Sequence, residues 1–104
     1  MKTTLTDNDT GTVTTFNSAE AGPAFSINYT VTRDTAYRTG TIMVAASTVD
    51  STGDIAYTED FVENSDTGVS FNFTETADTV NFNYSTTSTG SNATLSYSIN
   101  YFGY

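Results

Sequence analysis

Phe25-Ser-Ile-Asn-Tyr-Thr-Val-Thr-Arg33, then Asp34-Thr-Ala-Tyr37, then Arg38-Thr-Gly-Thr-Ile-Met-Val-Ala-Ala46 is the stretch that decides the fold. Phe25, Ile27, Tyr29 and Val31 fall on one face, and Ser26, Asn28, Thr30 and Thr32 on the other. A period of two is the mark of a strand with one face in a core. Ile42, Val44 and Ala46 supply the matching face of the returning arm. Asp34-Thr35-Ala36 is short enough to force an antiparallel hairpin, so the two arms are neighbours.

Outward from this hairpin the pattern repeats. Thr10 to Phe16 reads as a short strand, followed by turn-rich residues up to Pro23, whose missing donor does no harm just before a strand. Asp54 to Val62 is a weaker strand in which Glu59 shares a face with Ile55, Tyr57 and Phe61. A charge on an apolar face discourages unwanted pairing, which places this strand at a sheet edge. Val69, Phe71 and Phe73, then Val80, Phe82 and Tyr84, then Ala93, Leu95, Tyr97, Ile99 and Tyr101 complete the series. Met1 to Asn8 shows no clear pattern and is expected to be an arm, with residues 1–9 lying outside a single domain of residues 10–104.

About seven short alternating strands with polar turns predict an all-β fold, an antiparallel β-sandwich of immunoglobulin-like or jelly-roll-like character. A small closed β-barrel is the alternative. With each connection reversing direction, Asp34, Glu63, Asp66 and the loop from Ser85 to Asn92 gather at one end. Glu20, Asp50, Asp54 and Asp78 gather at the other.

Composition agrees. Among 104 residues there are 23 Thr, 11 Ser and nine Asn, alongside seven Phe, seven Tyr and a single Pro. A mucin-like stalk would be rich in Pro and poor in aromatics, so Thr and Asn read as the solvent faces of strands. The net charge of -9 works against binding a phosphate backbone or an anionic membrane surface. No apolar run approaches the roughly 18 residues of a spanning helix. Without cysteine, a small β domain lacks disulfides, and association is one way to add buried area.

The chemistry of catalysis is thinly represented. No His or Cys is present, and Lys2 lies in the expected arm, so triad, thiol and Schiff-base mechanisms lack a partner. Glu59 and Asp60 are adjacent in a strand and point to opposite faces; Glu63 with Asp66 is the best remaining carboxylate pair and reads as solvated. An enzyme is not expected. Asp7-Asn8-Asp9-Thr10-Gly11, Asp50 to Asp54 and Glu63 to Asp66 offer hard oxygen ligands for calcium. None has EF-hand spacing, and twelve acids against three bases make acidic loops the default, so no cofactor is expected beyond this calcium alternative.

Arg33 and Arg38 flank the hairpin turn at the end that holds Asp34, Glu63 and Asp66. An Arg–carboxylate bridge tying two loops together is the natural reading, with contact to an acidic neighbouring subunit as the alternative. Phe102 and Tyr104 are free of the strand pattern and are candidate surface anchors. The interface candidates are therefore Arg33, Arg38, Phe102 and Tyr104.

Four segments together, Phe25 to Arg33, Tyr37 to Val44, Glu59 to Val69 and Ser85 to Ile99, resemble the β-rich modules in structural proteins of tailed phages, especially marine and cyanobacterial ones. The resemblance runs from Ala24 to Tyr101 and brings no catalytic residues with it. It implies a non-enzymatic virion component on the particle surface, a small capsid decoration or head-fibre subunit acting through contacts with other virion proteins. It also implies a homo-oligomer, with a trimer favoured because such spikes commonly occupy three-fold positions. A tail-fibre carbohydrate-binding module for host attachment is the alternative; neither nucleic acid nor membrane is expected as a partner.

Overall fold

A computed structural model describes residues 1–17, 24–46, 55–76 and 79–101. Eight strands run in chain order: β1 (Lys2–Leu5), β2 (Thr10–Asn17), β3 (Ala24–Arg33), β4 (Ala36–Ala46), β5 (Ile55–Glu63), β6 (Val69–Thr76), β7 (Thr79–Thr86) and β8 (Ala93–Tyr101). They form a five-stranded sheet in the order β1-β8-β3-β4-β5 and a three-stranded sheet in the order β2-β7-β6, with every neighbouring pair antiparallel. The fold is an all-β sandwich. No strand ladder joins the two sheets among the described residues, which rules out the closed barrel that the strand pattern also allowed. The nested pairs β1 with β8 and β2 with β7 have jelly-roll character, while β3, β4 and β5 run as a meander within one sheet.

The organising hairpin forms as expected. β3 and β4 pair from Ala24 opposite Ala45 to Arg33 opposite Ala36, leaving Asp34 and Thr35 as the turn. Asp34 is in the left-handed region with φ of 53°, a conformation that Asp tolerates better than most residues. Phe25, Ile27, Tyr29, Val31, Ile42 and Val44 are buried, and they face the three-stranded sheet. The two layers meet ring to ring. Phe16 and Phe25 have centroids 4.8 Å apart, Tyr29 and Phe71 5.2 Å, and Phe82 and Tyr97 6.2 Å, while Phe73 stacks on Phe82 within its own sheet at 5.0 Å. These offset and edge-on geometries suit the ring quadrupole.

The first residues are the main correction. Instead of an arm, Lys2–Leu5 is an edge strand paired with β8, from Lys2 opposite Ser96 to Leu5 opposite Ala93. Leu5 is 0 % exposed and belongs to the core. The segment is too short to display a period of two, so its single buried apolar residue carries no visible pattern. β1 raises the expected seven strands to eight. Tyr101, expected in the core phase, is exposed at the last residue of β8, with its ring 6.2 Å from that of Phe25.

β5 is at the sheet edge, as Glu59 indicated. Its inward phase carries Tyr57, Glu59 and Phe61, opposite Val44, Ile42 and Gly40. The five-stranded sheet is wider than the three-stranded one, so β5 overhangs and leaves Tyr57 and Phe61 partly exposed. Gly40 lets β5 approach closely: a Cβ there would come within 2.6 Å of both the Asp60 carbonyl oxygen and the Phe61 Cβ. On β6, Glu75 brings a carboxylate to the inner phase, opposite Val80, and neither of its buried oxygens has a hydrogen-bond partner among the described residues.

Candidate functional site

Both arginines lie in the inward phase of the central hairpin, at the end where four connections converge. Each is buried, Arg33 to 4 % exposure and Arg38 to 6 %. Burying a guanidinium is costly unless its donors are satisfied, and here they are. Arg33 donates through Nε to the Ser91 carbonyl at 3.0 Å, through Nη1 to the Thr67 carbonyl at 3.0 Å, and through Nη2 to the Thr87 carbonyl at 2.7 Å and Asp7 Oδ1 at 2.5 Å. One side chain thereby fastens the β1–β2, β5–β6 and β7–β8 connections to the end of β3. The planar fork of arginine suits this, because several donors leave one rigid group in different directions.

Arg38 holds the neighbouring layer. Its Nε donates to Glu63 Oε2 at 2.9 Å and its Nη2 to Thr67 Oγ1 at 3.0 Å and the Val69 carbonyl at 2.5 Å. Nη1 is 3.5 Å from Glu59 Oε2, and the guanidinium carbon lies 4.5 Å above the centre of the Phe61 ring. The Tyr29 hydroxyl donates to the same Glu59 carboxylate. Burial, followed by that carboxylate, pushes the Tyr29 phenol well above its ordinary value. Burial opposes the charge of Arg38, but its bonds to Glu63 and Tyr29 win, and the guanidinium is held charged more firmly than in water.

The intramolecular bridge is therefore the arrangement present, and neither guanidinium is left at the surface for a neighbouring subunit. Of the carboxylates expected at this end, Glu63 is engaged as an arginine partner and Asp66 is not. Asp66 Oδ1 instead accepts from the Gly68 amide at 2.8 Å. Glu63 is not simply solvated: Thr67 Oγ1 also donates to it at 3.1 Å. Gly68 has φ of +66°, and a Cβ there would collide with Thr87 Oγ1, so only glycine closes this loop against the clasp. Glu20, Asp50, Asp54 and Asp78, expected to gather at the other end, lie outside the described residues, as do Phe102 and Tyr104.

Asp7 and Glu59 are the partners that sequence reasoning did not assign. Asp7 Oδ1 also accepts from the Thr89 and Gly90 amides, at 2.8 and 3.2 Å. The Thr89 amide most of all, with Gly90 and Arg33, holds the Asp7 carboxyl below the usual carboxylate range. Asp9 accepts from the Tyr84 hydroxyl at 3.0 Å. The two acids of the first candidate calcium loop thus serve as acceptors within the fold. Among the described residues no three acidic side chains converge on one point.

A pH dependence follows from these contacts. Partial burial raises the Glu63 pKa, but the Arg38 and Thr67 bonds outweigh it and the net shift, like that of Asp7, is downward. Below about pH 4.5 the unfolded chain takes up protons at these groups before the native one does, so their stabilisation is present above that pH and is lost as pH falls. The Asp7→Asn and Glu63→Gln double variant will melt lower than the parent at pH 7, and the gap will close as the pH approaches 2. Melting curves across that range check it; a gap constant with pH would mean that these carboxylates carry no linked protonation.

The remaining exposed chemistry lies on the outer faces and edges. The outer face of the three-stranded sheet is an uncharged lattice of amides and hydroxyls, with Asn83 donating to Asn72 at 3.0 Å and Thr12 donating to Asn83 at 2.9 Å. Large exposed apolar side chains concentrate on β4 and β5, at Tyr37, Met43, Tyr57, Phe61 and Val62. Open grooves of about 420 and 330 Å³ lie along these two strands, one lined by Tyr37, Thr39 and Val62, the other by Met43, Ala56 and Tyr57. In comparison with known proteins, the chain matches no family model, no curated protein and no solved structure.

Proposed function

We propose that this protein is a non-enzymatic structural subunit of a phage particle, a small capsid decoration or head-fibre protein that acts through protein–protein contacts. It works at the virion surface, as a homo-oligomer with a trimer favoured, beside other virion proteins. The observation that carries the reading is the apolar edge at β5, unpaired among the described residues. A nine-residue edge strand beside exposed Tyr57, Phe61 and Val62 is the kind of surface that a partner covers. The resemblance of four segments to phage structural modules supports the same reading.

The test is the mass of the purified protein by light scattering over a wide concentration range, with and without calcium. A trimer or larger assembly that is indifferent to calcium is expected. A compact monomer at every concentration would overturn the self-assembling subunit.

A further inference from the structure

Among the described residues the five-stranded sheet ends at two unpaired edges, β1 and β5, and they carry opposite charge. Arg33 and Arg38 are buried, and the chain has three basic residues in all, so its one remaining basic side chain is Lys2. Lys2 is exposed on β1 and has no ion-pair partner among the described residues. Its position opposite Ser96 places it on the outer face of the sheet. Asp60, opposite Thr41, is exposed on that same outer face at the other edge.

We propose that β1 of one copy docks beside β5 of the next, joining the five-stranded sheets edge to edge with Lys2 set against Asp60. This deepens and rests on the self-assembly reading above, with a second copy of this chain as the occupant. Three observations select it. A β5-on-β5 contact would bring Asp60, which has no ion-pair partner among the described residues, and Glu59 and Glu63, which share one arginine, towards the same acidic edge of another copy, in a chain of net charge -9. A β1-on-β5 contact sets the free cation against an acidic edge instead. Direction also fits. Four successive antiparallel pairings make β1 and β5 parallel within one sheet, so copies related by rotation about an axis along the strands present β1 parallel to β5 at each junction. Such a head-to-tail contact closes into a ring when the rotation permits, and a ring of three is the favoured trimer. The contact covers the free backbone groups of β5 and shields the apolar side chains of its overhang.

Charge reversal and cross-linking test it on the full chain. Lys2→Asp and Asp60→Lys alone should each raise the dissociation concentration at least tenfold by light scattering, and the double swap should restore assembly. Both positions are exposed, and an unchanged melting curve of each variant at a concentration where the parent is monomeric checks that it still folds. The chain has no cysteine, so Lys2→Cys with Asp60→Cys adds the only two thiols. Within one molecule these positions are four strand spacings apart, roughly 19 Å, beyond the ~7 Å that a disulfide spans. Oxidation should therefore give an intermolecular ladder on a non-reducing gel that ends at the ring size. If the parent assembles but the single reversals do not weaken it, or the thiols do not cross-link, the β1–β5 contact is wrong while self-assembly stands. If the parent is a monomer throughout, both fall.

Discussion

Replacing Arg33 with methionine will lower the melting temperature by more than about 10 °C, although the substitution keeps most of the apolar volume. The guanidinium is almost wholly buried and satisfies the carbonyls of Thr67, Thr87 and Ser91 together with the Asp7 carboxylate. Methionine takes a donor from all four: the Thr67 carbonyl loses its one partner among the described residues, while Asp7 keeps the Thr89 and Gly90 amides, Thr87 the Asn8 amide and Ser91 the longer contact from the Thr89 hydroxyl. Removing one partner of a buried ion pair costs about 3–5 kcal/mol. The low end applies, because the Asp7 side chain is about one quarter exposed and regains water. At roughly 4–8 °C per kcal/mol for a domain of this size, about 3 kcal/mol is a shift of 12 °C or more. Arg33→Lys separates charge from geometry. A lysine keeps the cation but offers one nitrogen where four acceptors surround a fork, so it should recover less than half of the loss. Thermal melts of the two variants decide it; full recovery by lysine would show that charge alone holds this end together.

Leu5→Ala is the second large effect. Leu5 is fully buried between the sheets, and Leu→Ala in a core costs about 2–5 kcal/mol. The matched control is Thr4→Ala, one residue away and exposed on the outer face, where substitutions usually stay within about 0.5 kcal/mol. Chemical denaturation of both variants should separate them by at least about 1.5 kcal/mol, the lower bound of the core range less the most the control should cost. Equal behaviour would return the first residues to the status of a dispensable arm. The effect should exceed that of a typical strand end, because Asp7, two residues on, is locked to Arg33 and to the Thr89 and Gly90 amides.

The ion-pair network shows how far sequence reasoning reached and where it stopped. Arg33 and Arg38 were visible as the cations flanking the turn, and bridging to carboxylates at the same end follows from the hairpin. Glu63 could be reached in this way. A finer signal was available for Glu59. Arg38 interrupts the apolar phase of β4 as Glu59 interrupts that of β5, and opposite charges in the inner phases of neighbouring strands can meet over the interior even though the ladder sets Arg38 opposite Glu63 and Glu59 opposite Ile42. Asp7 left no such trace. Its pairing with Arg33 depends on β1 occupying the edge beside β8, and that depends on contacts between residues more than eighty positions apart.

What the sequence determined by itself was the set of faces. Side chains alternate along a strand for covalent reasons, so the inner residues of β3, β4, β6, β7 and β8 could be read before any pairing was known. The hairpin, the polar lattice of Thr and Asn and the edge position of β5 belong to that local information. The tertiary structure decided which strands are neighbours, that the sheets divide five against three, and hence that β5 overhangs with its aromatic side chains partly exposed. It also enlisted the first strand and supplied the acceptors that let the arginines stay buried on the inner face their phase gives them. These outcomes depend on long-range closure, where a cation is buried only if carbonyls and carboxylates from three distant connections arrive together, and no local period encodes that meeting.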